Sequence, residues 1–253
     1  MVILKTANAI KKMREAGRLS ALALKVGGEA VKPGVTTAEI DKAIYDFIMS
    51  QGATPSFLNL YGFPASACIS VNDELIHGIP GNRVIKDGDI VSIDVGACLD
   101  GYHGDNAATF VAGNASPEAL ELLDVTKQSL YKGIEMATVG NRVGDISNAV
   151  QTYCEERGYS VVREFVGHGI GRSVHEDPEV PNFSRKRKGI LLRPGMTLAI
   201  EPMINAGSPE VVWMDDDWTV VTEDGSLSAH YENTVLITEG EPEILTLYKG
   251  DAE

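Results

Sequence analysis

IKDGDIVSIDV (residues 85–95) reads against LRPGMTLAIEP (residues 192–202), with Gly88 over Gly195 and Asp94 over Glu201. Further on, DNAATFVAG (105–113) reads against ENTVLITEG (232–240), with Asp105 over Glu232. Two strand pairs, each with two acids on an apolar background, indicate a duplicated unit that points four carboxylates at one centre. Carboxylates brought that close repel and raise each other's pKa unless a cation neutralises them. The pattern therefore calls for metal, and for more than one ion.

The segments ahead of these strands repeat as well. Residues 6–31 carry apolar positions at helical spacing (Ile10, Met13, Gly17, Leu24) and stop at Pro33 and Gly34. TTAEIDKAIYDFIMSQG (36–52) opens with Thr36 and Glu39 in capping-box spacing and closes at Gly52. In the second half, Ser116 and Pro117 start a helix over 117–137. GDISNAVQTYCEERG (144–158) then matches the earlier short helix, Ile146 on Ile40 and Val150 on Ile44. Strands are expected at 66–71, 90–98 and 104–112, then at 161–167, 197–205, 217–222 and 230–238. Two helices followed by antiparallel strands, done twice, predict an α+β fold with pseudo-twofold symmetry, a central antiparallel sheet and outer helices. The linker between the halves (6–113 and 116–240) is short, so 1–253 reads as a single domain with merged sheets. Residues 177–189, DPEVPNFSRKRKG, read as a Pro-containing basic loop whose charge run is solvated.

The bulk numbers set bounds on function. A chain of 253 residues with 43% hydrophobic content supports a sizeable core. A net charge of -14 argues against nucleic acid or an anionic membrane as partner. Cys68, Cys98 and Cys154 are an odd set without CxxC, so neither a disulfide framework nor a zinc knuckle is expected. The opening MVILKTANAIKKM has too short an apolar run for a signal peptide or anchor, which predicts a cytoplasmic protein.

One acid at a strand end is most often a solvated turn residue. Four at matched positions of a repeat are a candidate site. Asp94 and Glu201 each end an apolar strand, Asp105 follows Asp94 after a turn, and Glu232 opens a β-branched strand. His168, in VGHGIG, lies between glycines that let the backbone approach closely. Four carboxylates and an imidazole form a hard set suited to Mn(II), Fe(II) or Co(II), and less clearly to Zn(II). A pair of ions about 3.5–4 Å apart polarises a carbonyl and activates a shared water. His77 and His175 lie in loops that can frame the same centre as general acid or carbonyl-polarising donors, or else face solvent. His103 and His230 sit beside proposed ligands and are expected to point away, because strand neighbours alternate. Neither a nucleophile elbow at Ser66 or Ser70 nor a glycine-rich phosphate loop competes.

ISVNDELIHGIP, VSIDVGACLDGYHGD, FVGHGIGRSVHEDP, MTLAIEPMI and SLSAHYENTVLIT together resemble the signature segments of type I methionine aminopeptidases. The resemblance runs from about residue 5 to about 246 and implies the pita-bread fold. It implies two divalent ions (Mn, Fe or Co) on Asp94, Asp105, His168, Glu201 and Glu232, with Asp105 and Glu232 shared between them. It implies that Glu201 is the general base, that His77 stands near the substrate amine and scissile nitrogen, and that His175 binds the substrate carbonyl. Phe63, Cys68 and Trp218 fall where the family lines its methionine pocket, and a thioether suits such an apolar, aromatic slot. Leu60 and Val174 depart from aromatics common in relatives, which implies a wider or more aliphatic rim.

The implied activity is removal of the initiator methionine from nascent chains with a small second residue, a metal-bridging hydroxide attacking the first peptide carbonyl. The implied partners are nascent N-termini, with the ribosome left open, and the implied state is a monomer. The sequence lacks the type II helical insertion between His168 and Glu201 and an N-terminal zinc-finger extension, as in the minimal bacterial form. Two alternatives stand beside this one: a proline dipeptidase or aminopeptidase P-like enzyme, and a non-catalytic binding protein on the same scaffold.

Overall fold

The computed structural model describes residues 1–184 and 188–247, so residues 185–187 of the basic run lie outside the described residues. The first half is built from α1 (Ala7–Ala30), α2 (Thr37–Ser50), β1 (Thr54–Pro55), β2 (Ala67–Val71), β3 (Glu74–Ile76), β4 (Ile90–Leu99) and β5 (Tyr102–Val111). The second opens with α3 (Pro117–Glu135), α4 (Val143–Glu155), β6 (Ser160–Val161), β7 (Gly167–Gly169) and β8 (Glu176–Val180). It continues through β9 (Thr197–Ile200), β10 (Met203–Asn205), β11 (Val211–Trp213), β12 (Val220–Thr222), β13 (Ser228–His230), β14 (Glu232–Leu236) and β15 (Glu243–Ile244).

Local chemistry accounts for the helix starts. Thr36 and Glu39 close a reciprocal capping box at α2, and the Ser116 side chain accepts from Ala119 N at the head of α3. The short helices bury matching positions: Ile40, Ile44 and Ile48 on α2, and Ile146, Val150 and Cys154 on α4. Ile40, Ile44 and Ile48 belong to one apolar cluster, Ile146 to a second and Cys154 to a third.

The halves share one antiparallel nine-stranded sheet in the order β1-β4-β5-β14-β9-β7-β8, with β2 added on β4 and β15 on β14. They join where β5 pairs with β14, flanked by the equivalent pairs β4–β5 and β14–β9. Helices cover the sheet from outside, as the duplicated pattern predicts. The α1 backbone comes very close to β5: a Cβ at Gly104 would lie 2.5 Å from Gly17 Cα.

Three segments differ from the sequence-based expectation. The strand expected at 161–167 is two short strands, β6 and β7, in different sheets, and 197–205 breaks at Glu201–Pro202. Residues 176–180, expected within a loop, form β8 at the end of the sheet order. Pro178 offers no N–H for a ladder, and that is tolerated on an edge strand. Lys188, the described residue of the basic run, is exposed and pairs with Asp145 at 2.8 Å. Among the described residues no helix is long and apolar enough to cross a membrane.

Candidate metal centre

Strand register puts the proposed ligands on one face. Asp94 lies opposite Ala107 on β5, and Ala107 lies opposite Glu232 on β14. Asp105 is two residues from Ala107, so it shares that face. Ile200 pairs with Asn233, which sets Glu201 at the β9 terminus beside Glu232. His168 pairs with Ala199, two residues before Glu201, and completes the set from β7. The glycines around His168 are needed here. A Cβ at Gly167 would lie 2.4 Å from Ala199 O, and one at Gly169 would lie 2.1 Å from Asp177 O.

The side chains converge at the floor of a cavity of about 690 Å³. His168 Nε2 lies 3.5 Å from Glu201 Oε1 and 3.9 Å from Asp105 Oδ2. Donor atoms of Asp105, His168 and Glu232 all lie within 4.8 Å of one another, the spacing of a shared cation. Asp94 Oδ1, Asp105 Oδ1 and Glu232 Oε1 are buried with no hydrogen-bond partner. Acceptor-only oxygens left this way are costly, and a divalent ion is the partner that satisfies them together. The residues therefore fit a metal.

Electrostatics agree with that fit. Burial, reinforced by Asp105, pushes the Asp94 carboxyl well up, and burial pushes Asp105 up to about 7. Burial and the neighbouring acids raise Glu201 and Glu232 as well. Burial lowers His168 and His77 to about 4, so both are neutral imidazoles at ordinary pH.

These shifts give opposite pH slopes. Depressed histidines bind fewer protons folded than unfolded, so they add stability up to the ordinary histidine pKa of about 6.5. Raised carboxylates bind more protons folded, so they remove stability as pH rises through their folded pKa values. Above pH about 6.5 only the carboxylate slope is left. Chelator-stripped protein is therefore expected to melt at progressively lower temperature from pH about 6.5 to about 8, and Mn(II) to abolish the decline. A melting temperature of the stripped protein that holds or rises over that range contradicts the picture.

The apolar part of the cavity is a slot. Phe63, Cys68 and Trp218 pack with Phe57, Ala65 and Val174, and Leu60 and Ile79 close the margin. Cys68 sits opposite Asp94 in the β2–β4 register, so the slot opens onto the acidic floor. Phe63 meets Trp218 edge-on at 5.1 Å. His77 stands between Phe165 and Trp218, edge-on to both at 5.6 and 6.3 Å. It holds a left-handed φ of 58°, a conformation costing about 1–3 kcal/mol that persists mainly at functional positions. His175 lies at the mouth, its ring edge-on to His168 at 4.5 Å and stacked on Tyr61 at 5.7 Å.

His103 bonds Ser56 Oγ through Nδ1 at 2.8 Å and does not line the cavity. His230 overturns the expectation that it points away. Its ring is buried, Nε2 has no hydrogen-bond partner, and it lies 3.9 Å from Glu201 Oε2. It is two positions from Glu232, which in an extended chain means the same side, and the strand breaks at Tyr231 between them. Tyr61 and Phe165 also line the cavity without having been singled out in the sequence. Neither carries a signal there, since an aromatic in a loop or short strand reads as core.

A buried acidic floor beneath an apolar slot, on a duplicated α+β scaffold, is the site of a metal-binding protein, and its relatives give the class. The model of metallopeptidase family M24 matches residues 11–239. A methionine aminopeptidase of Clostridium perfringens is 60% identical over 98% of this chain and 100% of its own length. Methionine aminopeptidase 1 of Bacillus subtilis is 54% identical over 97% of this chain and 99% of its own. The crystal structure of methionine aminopeptidase from Rickettsia prowazekii superposes with a TM-score of 0.96 at 43% identity, covering 98% of this chain and 100% of that one. The chain belongs to family M24 and, within it, to the type I methionine aminopeptidases. It is a metal-dependent hydrolase that removes the initiator methionine, with chain N-termini as substrate. A prolidase from Pyrococcus horikoshii shares the fold alone, with a TM-score of 0.81 at 24% identity over 65% of its length.

Proposed function

We propose that Asp94, Asp105, His168, Glu201 and Glu232 hold two divalent ions, drawn from Mn, Fe or Co, and that the surrounding residues cleave the first peptide bond. The observation that carries this reading is the set of orphaned carboxylate oxygens on the cavity floor. Bound there, the ions supply Lewis acidity to the carbonyl and acidify a water.

The chain's own residues do the rest. The slot of Phe63, Cys68 and Trp218 takes the methionine side chain, fixing the scissile bond against the floor. Glu201, at the cavity floor, would take the proton from the attacking water and deliver it to the departing amine nitrogen as the C–N bond breaks. Neutral His175 donates a hydrogen bond to the carbonyl oxygen as negative charge develops. Neutral His77, facing the slot beside Trp218, stands by the substrate amine and scissile nitrogen. Past the slot, His77, Phe165 and His175 bound the space for the second residue, which favours a small one.

The protein reads as a monomeric, single-domain cytoplasmic enzyme acting on the N-termini of nascent chains. Its free cysteines suit a reducing compartment. Mn(II)-loaded protein is expected to release methionine from Met-Ala-Ser with kcat/KM at least about 10²-fold above that for Met-Leu-Ser. Equal values for the two peptides remove the small-residue rule, and preference for Xaa-Pro peptides replaces the substrate class.

A further inference from the structure

His175 ends the loop between β7 and β8, and Glu176 begins β8. We propose that Lys5 and Glu176 form a positioning pair that holds this loop and sets His175 over the floor. The proposal rests on the role given to His175 above. Lys5 Nζ lies 2.7 Å from Glu176 Oε2, with side chains only 5% and 9% exposed. Desolvating two charges this deeply costs about as much as their attraction returns, so stability alone is a poor reason for the pair.

What the pair fixes is the loop. Glu176 Oε1 accepts from Arg172 N at 2.8 Å and from Ser173 N at 3.3 Å. One carboxylate thus clamps the start of the loop with one oxygen and is anchored on Lys5 through the other. Lys5 is itself held: its backbone N donates to Gly195 O at 2.7 Å, and Nζ also donates to Ile3 O at 3.2 Å. Gly171 leaves the space required, since a Cβ there would lie 2.5 Å from Lys5 Cε and 2.7 Å from Glu176 Oε1. Burial works against the ionised Glu176, but Lys5 and the two amides outweigh it and hold its pKa below the ordinary value.

The β7–β8 ladder does not do this work. Its register shifts between Gly167 and Gly169, and Gly169 pairs with Glu176, so His175 lies just beyond the last pair. The segment ahead of α1 therefore fastens the loop from outside the sheet. The Met1 amine also meets Asp177 there.

The test measures kcat and KM for Met-Ala-Ser with Mn(II)-loaded protein, after far-UV circular dichroism and melting have shown each variant folded. Lys5→Met is expected to lower kcat about ten-fold with KM within about two-fold, as befits a displaced donor. Lys5→Arg is expected to recover most of the loss. Lys5→Met leaves a buried charge unpaired, so the double variant Lys5→Met/Glu176→Met serves as the second probe. It removes both charges, escapes that cost and still frees the loop.

In a His175→Ala background the double variant is expected to add no further loss, because both routes disable one group. A double variant within about two-fold of wild-type kcat overturns the proposal, as does a loss that multiplies with that of His175→Ala. If His175→Ala alone leaves kcat within about two-fold, the role of His175 falls and the purpose of the pair falls with it.

Discussion

Asp105→Ala is expected to lower methionine release by at least about 10³-fold, because metal-ion stabilisation of the transition state is worth several kcal/mol. Asp105 is buried, one of its oxygens has no partner, and its donor atom groups with those of His168 and Glu232. Its removal takes away the carboxylate with neighbours on both sides of the site. A second consequence separates this account from simple misfolding. The Asp105 charge helps to raise the pKa of Asp94, Glu201 and Glu232. Asp105→Asn removes that repulsion while keeping the shape, so the stripped variant is expected to melt above stripped wild type at neutral pH. It should also bind Mn(II) far more weakly. An inactive variant that melts lower and binds Mn(II) as wild type does would show that Asp105 has only a structural role.

Glu201→Gln is expected to lower kcat by about 10²–10⁴-fold, the range for loss of a positioned general base. The amide keeps the size and one acceptor oxygen, so the slot and its methionine contacts stay intact and KM should change little. Glu201 lies 3.5 Å from His168 and 3.9 Å from His230, so two imidazoles stand close to its carboxylate. Measurement of kcat and KM at saturating Mn(II) checks this. Wild-type kcat in Glu201→Gln would remove the base assignment, and a large rise in KM alone would make Glu201 a binding group.

The parts of the site that lie along strands were legible in the sequence. Asp94 with Glu201 and Asp105 with Glu232 stand at matched positions of a duplicated strand pair. Strand periodicity then puts them on one face of a sheet without any knowledge of the fold. His168 was legible because Gly167 and Gly169 admit the close backbone contacts seen at that strand. Breaks in the strands were not legible. The segment 161–167 reads as one strand, yet β6 and β7 join different sheets, and the residues between them set Phe165 into the cavity.

His230 was misjudged for a related reason. Alternation separates adjacent residues, whereas His230 and Glu232 are two apart and straddle the break at Tyr231. Edge strand β8 was hidden by Pro178, which lowers strand propensity everywhere except at an edge. The pair Lys5–Glu176 spans 171 residues of chain, so no local pattern announces it. Tyr61 over His175, 114 residues apart, is hidden in the same way.

The central claim is that the acidic floor works by holding metal. The most direct test is methionine release from Met-Ala-Ser by chelator-stripped protein, with Mn(II) titrated back while bound metal is counted. The account predicts no release from the stripped protein, recovery as about two ions bind per chain, and no recovery in Asp105→Asn. Full release from demonstrably metal-free protein, or recovery in Asp105→Asn equal to wild type, would contradict it.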